Sequence, residues 1–256
     1  MTKALQKRYK RILEISEDKK MLTFHDNRFY KRNNEFYPSV TSILQMFPKG
    51  EHFETWLKKV GFSADYLVKK AAEEGTLVHD LAERYLKGEE LSYLYEDGNP
   101  RYSHSVWEMF LKFIDFWETY NPKLIETEVH LFSDELKVAG TCDLIIEIDG
   151  ELWILDLKTS NHISLTYEIQ TAIYGKCYEE CFGKKVKNYG VLWLKSSKRK
   201  ANKDKMYGKG WEIIQPVRTY EEIIEIFKKL QDIWSIVNPK PTPNSSDFKL
   251  TVKREI

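Results

Sequence analysis

The sequence predicts an α+β (mixed α/β) fold in which helices pack on a central sheet. Three observations point there. An aromatic stripe at helical spacing over residues 105–120 is followed by a stretch where the apolar period drops to two. The dipeptide Asp149-Gly150, a strong two-residue hairpin signal, stands between runs rich in Ile, Leu and Trp. A second helical pattern over 164–182 then leads into the apolar strand NYGVLWLK, so helix, three antiparallel strands, helix and strand succeed one another.

Taken in order, the chain opens on a basic leader and short strands within 21–37, with Asn33-Asn34 as the turn. In YPSVTSIL, Ser39 or Thr41 is placed to cap a short helix. Residues 55–88 read as helical but divided at Gly75, with Thr76 capping a second helix that carries Leu77, Val78, Leu81, Ala82, Tyr85 and Leu86 on one stripe. His79 lies at the edge of that stripe, with Glu83 one turn on. The clearest helix has Val106, Met109, Phe110, Phe113, Phe116, Trp117 and Tyr120 on its core face. Ser105 and Glu108 form its capping box, and Pro122 ends it. A strand over 125–132, a turn at 133–135 and the Asp149-Gly150 hairpin follow. Ser164 caps a helix closed by Gly183, WEIIQPV is a short strand, and 220–237 is a last amphipathic helix before a tail of turn-forming composition.

With 256 residues, 14% of them aromatic, the chain can build a sizeable core, and the absence of repeats or linkers suggests one domain over 1–256. Its N-terminal part is 1–122 and its sheet core 123–256. Basic and acidic residues nearly balance, at 40 against 39, so a nucleic-acid role must rest on local clusters. Three cysteines fit a reducing compartment, and no apolar run approaches a membrane span. A cytoplasmic protein is expected, in the host cytoplasm if phage-encoded.

The hairpin makes a sharper statement. If Ile148 pairs with Glu151, Asp143 falls opposite Asp156 on one face of the sheet. Two carboxylates roughly 5 Å apart repel by about 3 kcal/mol at an effective dielectric of about 20, which calls for a counter-charge such as a divalent cation. Alternation brings Lys158 to the same face as Asp156. Two carboxylates and an ammonium are the groups that metal-assisted phosphodiester hydrolysis needs. In isolation, D-x-K is more simply a solvated sheet face. The apolar surroundings in WILDLKTS favour a cleft or a metal, because burying unpaired ions costs several kcal/mol.

GTCDLI, LDLKTS, Gln170-x-x-x-Tyr174 and the upstream Gly75-x-x-x-His79-x-x-x-Glu83 together resemble the PD-(D/E)XK nuclease superfamily, specifically its RecB-like exonuclease branch. YPSVTSIL is similar to the same region of mitochondrial genome maintenance exonuclease-type and phage proteins. The resemblance implies a restriction-endonuclease-like core and a helical N-terminal half. It further implies that Asp143, Asp156, the Leu157 carbonyl and His79 bind Mg²⁺ or Mn²⁺, and that Lys158 acts on the attacking water. Gln170 and Tyr174 would sit beside the site, with Glu128 and Glu83 as accessory acids. The three cysteines depart from the pattern of cluster-bearing relatives, so no iron–sulfur cluster is expected.

The implied activity is a metal-dependent DNA exonuclease acting on single-stranded or free-ended DNA in replication, repair or recombination. It would work as a monomer, with replication or recombination proteins as partners. A non-catalytic DNA-end-binding module and an RNA-processing nuclease are the alternatives. Lys195, Lys198, Arg199 and Lys200 open a basic loop that either tracks a phosphate backbone or is a solvated tip. Ser39 and Thr41 either contact a phosphate or serve as ordinary caps.

Overall fold

A computed structural model of the chain describes residues 13–15, 21–25, 28–195 and 210–252. Strands β1 (Leu13–Ile15), β2 (Met21–His25), β3 (Phe29–Arg32) and β4 (Glu35–Pro38) precede helices α1 (Val40–Leu44) and α2 (Gly50–Val60). A single 3₁₀ turn leads into α3 (Ala64–Leu86), followed by α4 (His104–Tyr120). Strands β5 (Lys123–Ser133), β6 (Val138–Ile148) and β7 (Glu151–Lys158) come next. After them come α5 (Leu165–Phe182), β8 (Asn188–Trp193), β9 (Glu212–Ile214), α6 (Tyr220–Val237) and β10 (Ser245–Lys249).

The central sheet has the order β5-β6-β7-β8-β9. Its first three strands are antiparallel, β8 joins β7 in parallel across α5, and β9 returns antiparallel. The sheet is therefore mixed, and its middle strands are covered on both faces. Ile145 and Ile154 pack with Ile169, Ile173 and Phe227 from α5 and α6. Leu144, Ile146, Leu155 and Leu157 pack with Leu81 from α3 and Phe110, Phe113 and Phe116 from α4. Each such side chain, buried from water, stabilises the fold by roughly 1.5–3 kcal/mol. This is the helix-flanked mixed sheet expected from the sequence.

Several local expectations are corrected. Gly75 does not divide a helix: α3 runs unbroken across it, and Thr76 Oγ1 donates back to the Ala72 carbonyl instead of capping. The break falls at Gly61, whose positive φ of 59° ends α2. The cap of α4 is Ser103, which accepts from the Val106 N–H, not Ser105. The tail contains a strand, β10, which pairs with β2 through backbone hydrogen bonds that side-chain composition does not announce. Cys181 is exposed, although Cys177 on the same helix is buried. Ser164 and Gly183 bound α5 as expected, and Asn33-Asn34 turn with positive φ at both positions.

Candidate active site

The hairpin register runs as the sequence predicts, from Ile148↔Glu151 to Leu144↔Leu155. The ladder closes there, one residue short of the Asp143–Asp156 pair. On the other edge of β7, Asp156 is paired with Val191 of β8, while on the β6 side the Asp143 carboxylate accepts a hydrogen bond from the Leu157 N–H at 2.8 Å. A side chain thus satisfies a backbone donor that the diverging strand β6 no longer reaches. Further along, β6 is flanked by Ser39, bridged in parallel to Ala139. A fork opens between β7 and the Ser39 segment, while the Cys142 thiol, 3.9 Å from the Leu155 carbonyl, is buried in the core.

The fork leads into a cavity of about 430 Å³ whose walls include Asp143, Asp156, Lys158, His79, Gln170 and Tyr174. Asp156, only 3% exposed, has one carboxylate oxygen in ion-pair contact with the Lys158 ammonium. Its other oxygen accepts from the Gln170 amide at 2.7 Å, and the same amide nitrogen donates to the Tyr174 hydroxyl at 3.0 Å. Gln170 and Tyr174 reach the site together because they are one turn apart on α5. The Tyr174 ring lies so close to β6 that a Cβ on Gly140 would overlap it. That glycine, four residues after the turn at Leu136, is therefore part of the site although sequence reasoning assigned it no role.

His79 approaches from α3, its Nδ1 3.4 Å from the Asp143 carboxylate. The helix comes this near because Gly75 has no side chain: a Cβ there would stand 2.9 Å from Thr159 Oγ1, just beyond β7. Glu128 completes the group. It sits on β5 with φ of 55°, while neighbouring Thr127 sends its hydroxyl to the Asp143 carbonyl at 2.8 Å. A non-glycine residue in the left-handed region costs about 1–3 kcal/mol and persists only where surrounding structure enforces it. Glu83, at the edge of the same region, forms an ion pair with Lys87 at 2.7 Å.

The charges are strongly interdependent. Burial acts to raise the Asp143 pKa, but His79, Lys158 and the Leu157 N–H outweigh it and hold the carboxyl well below the usual range. Asp156 shifts upward: burial, with repulsion from Asp143, exceeds the pull of Lys158. Burial would lower His79 and Lys158, yet the facing carboxylates raise both. Lys158 is thus held as an ammonium.

The donor chemistry fits a divalent cation. Ligand atoms of His79, Glu128 and Asp143 lie within 4.8 Å of one another. The buried Asp156 Oδ2 faces only the Lys158 ammonium, and a cation could share that oxygen. An imidazole and carboxylates are ligands that Mg²⁺ and Mn²⁺ accept. In this arrangement Glu128, expected as an accessory, stands inside the cluster, and Asp156 is turned toward Lys158 and Gln170. The Leu157 N–H faces Asp143; in an extended strand its carbonyl faces the same edge.

Of the proposed nucleic-acid contacts, Thr41 lines the cavity and Ser39 is buried with its hydroxyl 2.7 Å from Thr41 Oγ1. Lys195 follows β8 and is not among the cavity-lining residues. Lys198, Arg199 and Lys200 lie outside the described residues. Trp193 and Trp211 are engaged by the fold: Trp193 Nε1 donates to the Ser160 carbonyl, and Trp211 packs on Phe116 and Tyr120.

A mixed sheet whose central strand ends in a buried Asp-x-Lys, faced by a helix bearing Gln and Tyr, defines a class of metal-dependent phosphodiesterases. The family comparison is specific. The PD-(D/E)XK nuclease superfamily model matches residues 55–245, and the chain belongs to that superfamily. An uncharacterised protein of Ureaplasma parvum is 25% identical over 197 residues, spanning 74% of this chain and 88% of its own. Among solved structures, a candidate exonuclease from Eubacterium rectale aligns with a TM-score of 0.41 at 13% identity, covering 72% of this chain and 77% of its own. A Vibrio cholerae protein aligns with a TM-score of 0.24 at 11% identity, over 94% and 72%. At these scores the two structures add nothing to the family match. Among the described residues no helix is long and apolar enough to cross a membrane.

Proposed function

We propose that this chain is a divalent-metal-dependent deoxyribonuclease, an exonuclease on single-stranded or end-frayed DNA that serves replication, repair or recombination in the cytoplasm. The convergence of Asp143, Asp156, Lys158 and His79 on one cavity wall supports the reading most directly. A Mg²⁺ or Mn²⁺ ion held by Asp143, Asp156, His79, Glu128 and the Leu157 carbonyl would supply Lewis acidity at the phosphate and acidify the attacking water.

The chain's own groups divide the remaining work. Lys158, in ion-pair contact with Asp156, would donate hydrogen bonds to the developing negative charge on phosphorus-bound oxygen or act on the attacking water. Gln170 fixes the Asp156 carboxylate from α5, and Tyr174 fixes the Gln170 amide.

Purified protein with Mg²⁺ or Mn²⁺ is expected to degrade linear DNA and spare closed circles. Lys158→Met should lower the rate by at least 10²-fold while the variant still folds, with an intact far-UV circular dichroism spectrum. Equal degradation by both proteins would overturn the assignment. Preferential cutting of a matched RNA strand would move it to RNA processing.

A further inference from the structure

Arg28 lines the same cavity as Asp143, Asp156 and Lys158, and its partners do not account for its charge. Its Nη1 donates to Thr41 Oγ1 at 2.7 Å, and the Ser39 hydroxyl lies 2.7 Å from that same oxygen. The Arg28 carbonyl accepts from the Ser39 N–H at 3.1 Å, so backbone and side chain are anchored to one segment. Nε, by contrast, is enclosed and has no acceptor. Among the described residues no carboxylate forms an ion pair with this guanidinium.

The two sides of a guanidinium are not equivalent. Thr41 holds the Nη1 side and Nε is enclosed, so Nη2 is the donor left to meet an anion, through a single charge-assisted contact to a phosphate oxygen. A cation held by a neutral hydroxyl and lining this cleft is placed to receive an anion. Glu128, Asp143 and Asp156 line the same cavity, and an incoming phosphodiester strand is favoured by each positive group along its path, Arg28 as well as Lys158.

We propose that Arg28 binds a second phosphate of the substrate strand, the phosphodiester next to the scissile one, with Thr41 and Ser39 as positioning residues. This rests on the nuclease reading for the identity of the strand. It defines the substrate class as a chain of at least two consecutive phosphodiesters and makes a lone phosphodiester a poor substrate.

Binding of a fluorescent single-stranded oligonucleotide, followed by anisotropy with chelator present and salt varied, tests this without turnover. Arg28→Met should weaken binding and flatten the slope of log K against log salt by about 0.7, the value for one phosphate contact on a single strand. Arg28→Lys should keep the slope and still lose affinity, because the charge remains but the planar guanidinium anchored on Thr41 does not; it also serves if Arg28→Met fails to fold. With Mn²⁺, the loss of kcat/KM in Arg28→Met should be at least tenfold greater on the oligonucleotide than on thymidine 5′-p-nitrophenyl phosphate, which has one phosphodiester. An unchanged salt slope, an equal loss on both substrates, or an effect confined to 5′-phosphorylated strands would overturn the proposal. If the wild type hydrolyses neither substrate, the nuclease reading fails, and the salt slope alone decides Arg28.

Discussion

Asp143 holds two positions at once: it faces His79 across 3.4 Å and accepts the Leu157 N–H at 2.8 Å. Removing the side chain therefore costs more than a ligand. Asp143→Ala leaves a buried backbone donor unsatisfied, a loss of about 1–3 kcal/mol, whereas Asp143→Asn can keep that hydrogen bond through its amide oxygen. Urea unfolding of the two metal-free variants should separate them in that order. His79 gives a pH dependence with a definite sign. Its pKa is raised despite burial because Asp143 favours the imidazolium, and a metal ligand must be neutral. Mn²⁺ affinity by calorimetry should fall as pH drops through that raised value, approaching tenfold per pH unit below it. The metal-free fold runs the other way: stability contributed by the charged His79 is present at low pH and lost as pH rises through the folded pKa. Gly140→Ala should destabilise by about 1–3 kcal/mol through overlap with the Tyr174 ring, and Tyr174→Leu in the same chain should recover part of it.

At the scale of elements, α3 shows how a local preference yields to a tertiary one. Glycine inside a helix costs about 1 kcal/mol against alanine, and on that ground Gly75 reads as a helix boundary. The helix continues because its backbone passes Thr159 too closely for a Cβ, which is what brings His79 to Asp143. Gly75→Ala should accordingly give no gain in stability and a weaker Mn²⁺ site. Adding Thr159→Ala, which removes the obstructing oxygen, should release the helix gain of about 1 kcal/mol; thermal melts of the single and double variants check both signs. The hairpin was legible from its turn, α5 from its Ser164 cap and Gly183 stop, and α6 from its apolar period, each a signal held within one segment. Strand β10 was not, since its pairing with β2 joins residues more than two hundred positions apart by backbone hydrogen bonds alone. The site follows the same rule. Asp143, Asp156 and Lys158 come from one hairpin and its arithmetic, while Arg28, Gly140 and the conformation of Glu128 depend on segments that meet only in the folded molecule.

Over the whole molecule, the two cores on opposite faces of the sheet grip β6 and β7 on both sides of the point where their ladder ends, through Leu144 and Leu155 and also through Cys142 and Leu157. The acids are therefore held on a rigid base, and metal binding should be read as stability. At a hundredfold excess over Kd, Mn²⁺ should stabilise the fold by about 2.7 kcal/mol, visible as a rise in melting temperature that Asp143→Ala abolishes. The left-handed backbone of Glu128 has a longer-term consequence. Glycine would relax that residue, so the carboxylate persists there against the preference of its own peptide unit. A lineage released from cutting would be free to drift to glycine or asparagine at this one position while the sheet stayed intact. Under the metal role proposed for Glu128, the identity of residue 128 should therefore track nuclease activity among descendants of this chain.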